Sequence, residues 1–380
     1  MVATLCGVLL VVLTLTDCFE SLVLPRRITR RWRPTRLYYR CGWWLWRSGC
    51  RLIPAGRYRE NTLSIFGPLS LLGLFACWVA VLVTGFALVH WGQGTLPGEL
   101  GGDLRQCLYH SGETFFTLGY GDVTPTTFGG KAVSVVEAGT GFGFMAIIIG
   151  YLPVLYQAFS RREQNIALLD ARAGSPPTVG ELFRRADGFR DCPEIERFMA
   201  EWEVWAAELL ESHLSYPVLS FYRSQHDNQN WLAALAVVLD ASAVLLVSGS
   251  DEARRRAELT FAMARHACVD LCLVFWLPPL ESPRERLTDV EAQALVAQAS
   301  GDQSARAVSA REGQIERLGK LRELYEPFLE ALAETLCFRI PRFFPDRAAP
   351  DNWQTTAWTK RAPGITELPA RGLRADEHFG

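Results

Sequence analysis

Residues 113–125 read Glu-Thr-Phe-Phe-Thr-Leu-Gly-Tyr-Gly-Asp-Val-Thr-Pro, with a long and nearly uncharged apolar run on each side. The chemistry on offer in Thr117-Leu118-Gly119-Tyr120-Gly121 lies in the backbone. Glycine at 119 and 121 permits angles that other residues resist, so successive carbonyl oxygens can turn to one side of an extended strand. A row of such oxygens along a narrow tube can replace the water around a dehydrated cation. The Thr117 hydroxyl would add an inner ring of oxygens. Irregular backbone at membrane depth is tolerable only where it lines a hydrated conduit and not lipid. A lone Gly-Tyr-Gly is common in soluble turns, so the weight of this motif depends on the elements that position it.

Those elements are apolar and long. The 380 residues carry a formal charge of −2 and are 49% apolar, but the apolar residues are clustered. Asn61 to Val89 has no charged residue, and Ala132 to Ser160 has only Glu137. A weaker run covers Val2 to Thr16 and continues to Leu24 past Asp17 and Glu20, its acidic end placed at the interface. Each run is long enough for a hydrocarbon core of ~30 Å at a helical rise of ~1.5 Å per residue. The first has no basic n-region and no small-residue cleavage site after it, so it reads as a retained span rather than a signal peptide. Between the second and third, Asp103 to Phe116 suffices for a short re-entrant helix whose negative dipole end favours a cation at the pore centre.

Charge sets an orientation. Pro25 to Glu60 holds eleven arginines and a single acid, Glu60. Such a loop is cytoplasmic by the positive-inside rule, which puts the N-terminus outside and the 117–121 segment on the outer side. Arg161 and Arg162 would then hold the inner end of the third span. Arg27, Arg30, Arg33 and Arg36 recur every third residue, as in a voltage sensor. However, Thr29, Arg31, Pro34 and Thr35 intervene, and a sensor needs apolar residues between its arginines. A helix on the inner leaflet is the better reading for Arg26–Arg59. Tyr38, Tyr39, Trp43, Trp44 and Trp46 would lie at headgroup depth, with the arginines on anionic lipids. Arginine mixed with aromatics also occurs in RNA binders, but the adjacent spans favour lipid and no nucleic acid is expected.

Thr-x-Gly-Tyr-Gly-Asp at 117–122, with a pore-helix-length stretch before it and a span on each side, resembles bacterial potassium channels with a single pore loop. These belong to the two-transmembrane pore-domain ion channel family. The resemblance implies K⁺ coordination at Thr117, Leu118, Gly119 and Tyr120, with Gly121 completing the filter. It also implies Tyr120 bracing the filter against its pore helix, and no cofactor beyond the permeant ion. The family commonly has Val where this chain has Leu118. Since the carbonyl faces the ion, the change alters packing behind the filter more than coordination. One motif per chain supplies one strand, so the resemblance implies a homotetramer. It further implies that Glu113 and Asp122 support the filter by sharing a proton behind it, and that Gly141 is a hinge of the inner helix. Gly139 and Gly143 serve equally well as close-packing positions. Pro153 could kink the helix nearer its cytoplasmic mouth. Glu137, an acid well inside a span, marks either a hydrogen bond behind the filter or an attraction for cations.

The expected fold is an all-α membrane protein. It has an N-terminal span (1–24), a basic and aromatic interfacial segment (25–60) and a pore domain (61–160). The pore domain divides into spans at about 61–90 and 131–160, a pore helix at 103–116 and a filter at 117–121. A helical cytoplasmic domain (161–340) and a proline-rich disordered tail (341–380) follow. In the cytoplasmic part a capping box at Thr178 and Glu181 restarts the helix after Gly174-Ser175-Pro176-Pro177. Further helices are expected at about 193–213, 230–248, 253–276, 288–299 and 305–336. Leu232 to Gly249 is apolar except for Asp240, and that aspartate favours a buried core helix over a fourth span.

No G-x-G-x-x-G follows residue 160, and there is no nucleophile elbow, phosphate loop or metal-ligand spacing, so no enzyme is expected. The ten cysteines read as free or buried thiols. His226 and Asp227 form a candidate site in a polar loop that is better read as satisfied by its own side chains. The expected function is passive K⁺ conduction in a bacterial inner membrane, gated through the cytoplasmic domain. A less selective monovalent cation pore, and a membrane-tethered sensor or scaffold with a non-conducting pore, are the alternatives.

Overall fold

The computed structural model describes residues 1–24, 33–97, 103–186, 192–225, 229–281, 285–300 and 308–345. Arg26, Arg27, Arg30, His226, Asp227 and most of the expected tail fall outside the described residues. Regular structure among the described residues is entirely helical, in two compact units, Met1–Gln157 and Ala158–Gly380.

The first unit is built from α1 (Val2–Leu22), α2 (Pro34–Cys50), α3 (Arg57–Gln93), α4 (Leu104–Phe115) and the first part of α5 (Phe128–Ala173). Helices α1, α3 and α5 are each long and apolar enough to cross a membrane. Small residues bring α1 and α3 together: a Cβ on Gly7 would run into the Gly85 carbonyl, and one on Gly92 into Thr4. Close backbone approach is how apolar helices gain contact energy where lipid competes for every apolar surface. Asp17 and Glu20, at the far end of α1, are matched rather than solvated. Asp17 accepts from the Thr35 hydroxyl at 2.5 Å and the Trp78 indole at 3.0 Å, and Arg33 lies 3.4 Å from Glu20.

Helix α2 starts at Pro34, where a missing N–H costs nothing, so the proline begins the helix and does not break it. Arg33 stands at its N-cap, so the three-residue arginine row is not carried by one helix. One face of α2 packs on α3, through Trp43 on Phe66 at 4.8 Å, Trp46 Nε1 to the Thr62 carbonyl and Tyr38 to the Ser70 carbonyl. Leu37, Trp44 and Leu45 remain exposed on it.

The second unit holds the end of α5, α6 (Val179–Arg185), α7 (Cys192–Ser215), a 3-10 turn (Pro217–Phe221), α8 (Trp231–Ser248), α9 (Asp251–Phe275), α10 (Asp289–Ser300), α11 (Val308–Glu323) and α12 (Glu326–Leu336). Helix α8 is a fourth segment apolar enough to span a membrane, yet 94% of it is buried within the protein. A helix apolar all round belongs in a core or in lipid; here α6, α7 and α9–α12 all pack on it. Its aspartate is fully matched, since Asp240 accepts from Arg286 at 2.5 Å and from the Tyr325 hydroxyl at 2.6 Å.

Several expectations need correction. The helix expected at 305–336 is two, because Pro327 lacks the N–H a continuous helix needs and sits instead in the first turn of α12. The capping box is half formed: Thr178 accepts from the Glu181 amide, but the Glu181 carboxylate turns to Arg184 and Arg185. Those guanidiniums, Arg184 first, hold Glu181 down to about 2.

Helix α5 does not stop near 160, and Arg162 does not mark its exit to water. Arg162 is 3% exposed and donates to the carbonyls of Leu219 and Tyr222, both at 2.9 Å. It also reaches His213 Nε2 at 3.2 Å, while His213 Nδ1 lies 2.8 Å from the Leu209 carbonyl. A carbonyl only accepts, so the His213 proton is on Nδ1 and Nε2 accepts from arginine. Burial, and then the neighbouring Arg162 charge, push the His213 pKa well below its ordinary value.

Candidate ion pathway

Helix α4 ends at Phe116, and the chain leaves it through a turn in which the Leu118 amide donates to the Glu113 carbonyl at 2.9 Å. Thr117, Gly119 and Gly121 then take positive φ values of 56°, 68° and 76°, whereas Leu118 and Tyr120 do not. A left-handed residue at every second position is a backbone pattern that can turn successive carbonyls to one side of a segment. A Cβ on Gly119 or Gly121 would meet nothing within 4 Å, so glycine is required there by conformation and not by crowding. Thr117 holds the same geometry at a cost of about 1–2 kcal/mol.

Two carboxylates flank this segment. Glu113 is buried, and its Oε1 accepts from the Gly121 amide at 2.9 Å. Its Oε2 has no hydrogen-bond partner among the described residues. Asp122 accepts from the Tyr109 hydroxyl at 3.3 Å and from the Val123 amide at 3.1 Å. No hydrogen bond joins the two carboxyls among the described residues, so the implied proton sharing is not the arrangement found. Glu113 instead binds the backbone of the 117–121 segment itself. Beyond Gly121, the Thr126 amide donates to the Thr95 carbonyl at 2.9 Å, and His110 Nδ1 lies 3.0 Å from the Val123 carbonyl. These contacts tie the 122–127 segment to the end of α3 and to α4.

The other expected site residues divide. A Cβ at Gly141 would collide with the Phe115 carbonyl at the end of α4, whereas Gly139 and Gly143 have open space. Helix α5 runs through Gly141 and Pro153 as one element. Gly141 therefore has a packing reason to be glycine, independent of any hinge. Tyr120 is 69% exposed and, among the described residues, makes no ring contact or hydrogen bond with its own pore helix. Leu118, Val135, Val136, Phe142 and Ile149 are likewise exposed apolar positions.

Glu137 is fully buried. Its Oε1 is hydrogen-bonded to Ser111 of α4, and its Oε2 faces His90 Nε2 of α3 at 3.6 Å. The His90 and His110 rings meet edge to face at 5.0 Å. Sequence reasoning passed over His90, His110, Ser111 and Thr95. A signal was available: His110 and Ser111 fall within one turn of Glu113 on the expected pore helix, and His90 ends the expected second span.

Residues 74–157 match the model of a family described as "Ion channel"; the match runs from within α3 through the 117–121 segment to the first thirty residues of α5. A membrane protein of Bacillus subtilis (strain 168), described as "Uncharacterized membrane protein YdjJ", is 26% identical over 230 residues. That alignment covers 58% of this chain and 64% of the relative, so the chain spans just under two thirds of the relative's length. No solved structure matches the chain. Fold, spans and family match together make this an all-α membrane protein. The family match supports an ion channel.

Proposed function

We propose that this protein is a K⁺-selective channel in which four identical chains each contribute Thr117–Gly121 to one filter. The observation that carries the reading is the alternation of left-handed φ at Thr117, Gly119 and Gly121, with Glu113 holding the outer end of the segment through the Gly121 amide. Such an alternation allows a column of carbonyl oxygens to face one line, as coordination of a bare monovalent cation requires. The exposed apolar side chains of Leu118, Tyr120, Val135, Val136 and Phe142 support assembly, since a filter segment and an inner helix need neighbours to cover them.

The arginines of α2, together with exposed Trp44 and Leu45, support an inner-leaflet location over anionic lipid, with the second unit in the cytoplasm of a bacterial cell. Gating by the second unit, which holds the Arg162 end of α5, is part of the same reading.

The test is purified protein reconstituted in liposomes. We expect a K⁺ reversal potential distinct from that of Na⁺, flux abolished by Gly119→Asp, and a particle in mild detergent containing four 42.5 kDa chains. Equal permeability to the two ions would replace this reading with a less selective cation pore. A monomer without flux would leave a tethered sensor or scaffold.

A further inference from the structure

We propose that Glu137 is held as a neutral carboxylic acid, and that its proton makes the hydrogen bond tying the pore helix to the inner helix. The inference rests on donor counting. Ser111 has one hydroxyl proton and two oxygens within reach, the Val83 carbonyl at 2.8 Å and Glu137 Oε1. A carbonyl oxygen accepts only, so the approach to Val83 uses the serine proton. The contact with Glu137 then needs a proton from the other side, and a carboxylate has none. A carboxyl O–H donating to the serine lone pair satisfies both contacts at once.

The surroundings agree. Among the described residues, the titratable groups facing Glu137 are His90 from α3 and His110 from α4. His110 Nδ1 lies 3.0 Å from the Val123 carbonyl, so it carries a proton, and Nε2 lies 2.9 Å from the Ser134 hydroxyl, which has a proton to give. A neutral ring satisfies both contacts. His90 Nδ1 meets the Thr95 hydroxyl at 2.8 Å, and its Nε2 stays 3.6 Å from Glu137 Oε2. An imidazolium facing a carboxylate closes to about 2.7–2.9 Å. The wider gap is what a neutral ring leaves beside a neutral acid, and neither facing atom has another hydrogen-bond partner. An ionised Glu137 would be a fully buried charge with no hydrogen-bonded cation, at a cost of several kcal/mol.

The acid thus acts as a positioning residue. It joins α5 to α4 at Ser111, and Ser111 passes the link to α3 at Val83, directly behind the filter. It neither attracts cations nor faces the conduit. As its part in conduction depends on the channel reading, the test has one arm that does not.

That arm is infrared difference spectroscopy of the purified full chain in lipid. At neutral pH the wild type minus Glu137→Gln spectrum should contain the C=O stretch of a protonated carboxyl, and Ser111→Ala should shift its frequency. A difference spectrum showing only ionised carboxylate would overturn the proposal, whether or not the protein conducts. In the conduction arm, Glu137→Gln keeps a donor and an acceptor of similar shape, and flux should stay within about twofold of wild type. Glu137→Ala removes the hydrogen bond, and flux should fall by about tenfold. At strongly alkaline pH the wild type should approach the alanine variant while the glutamine variant does not change. Glutamine losing flux as fully as alanine would mean that a charge is required, and the proposal would fail. Absence of flux from the wild type would sink the channel reading alone.

Discussion

Replacing Gly141 by alanine separates two accounts of the glycines in the inner helix. The added Cβ would overlap the Phe115 carbonyl oxygen and stand 2.9 Å from its carbon and 3.1 Å from its Cα. All of these are backbone atoms at the end of α4, so no rotamer change relieves the clash and the helices must part. Forcing one extra methyl into a packed contact costs typically about 1–3 kcal/mol. Alanine gains about 1 kcal/mol over glycine in a helix interior wherever it sits. Gly139→Ala and Gly143→Ala receive that gain with nothing within 4 Å to oppose it. The three substitutions should therefore split, with the controls neutral or slightly stabilised and Gly141→Ala lower than either by about 1–3 kcal/mol per chain. The assay is the temperature at which the detergent-solubilised assembly dissociates, paired with cation flux in liposomes. Because Phe115 immediately precedes the filter turn, flux should fall at 141 and persist at 139 and 143. Equal behaviour at all three positions would refute the packing argument and favour a distributed bending role.

Three further outcomes follow from the same geometry. Glu113→Ala removes the acceptor of the Gly121 amide, a part-buried hydrogen bond worth about 0.5–1.5 kcal/mol, so sustained flux should decay, whereas Glu113→Gln keeps the acceptor and should decay less. In the second unit, His213 refuses in the folded chain a proton that the unfolded chain accepts near 6.5. Its contribution to stability is therefore complete above that pH and is lost as the pH falls below it, by up to about 1.4 kcal/mol per unit. Protease resistance of the full chain should drop between neutral pH and about pH 5, and His213→Gln should flatten the change. Arg162→Met leaves the Leu219 and Tyr222 carbonyls without their buried donor and should cost about 3–5 kcal/mol, read as cleavage of the second unit under conditions that spare the wild type.

Much of the site was legible because it rests on local chemistry. The glycines at 119 and 121 permit left-handed backbone at no steric cost, and both adopt it. Uninterrupted apolar runs announce helices long enough for a bilayer, and α3 and α5 contain the expected spans. The end of α4 was readable for a similar reason, since Leu104–Phe115 lies inside the helix expected at 103–116. The end of α5 was not. The stretch after Ser160 has no helix breaker, and only the packing of Arg162 against Leu219 and Tyr222 shows that the helix enters a folded unit.

By itself, the amino-acid sequence determined where backbone is forced to be unusual and where it must be helical, because steric freedom and hydropathy are properties of residues in a row. Only the tertiary structure decided which polar groups meet. Glu113 binds the Gly121 amide instead of the Asp122 carboxyl, Asp240 is matched by Arg286 and Tyr325 within a helix apolar enough for lipid, and Glu137 of α5 touches Ser111 of α4. Each of these pairs joins elements that pack across space, and a buried polar atom takes whichever complementary partner that packing delivers.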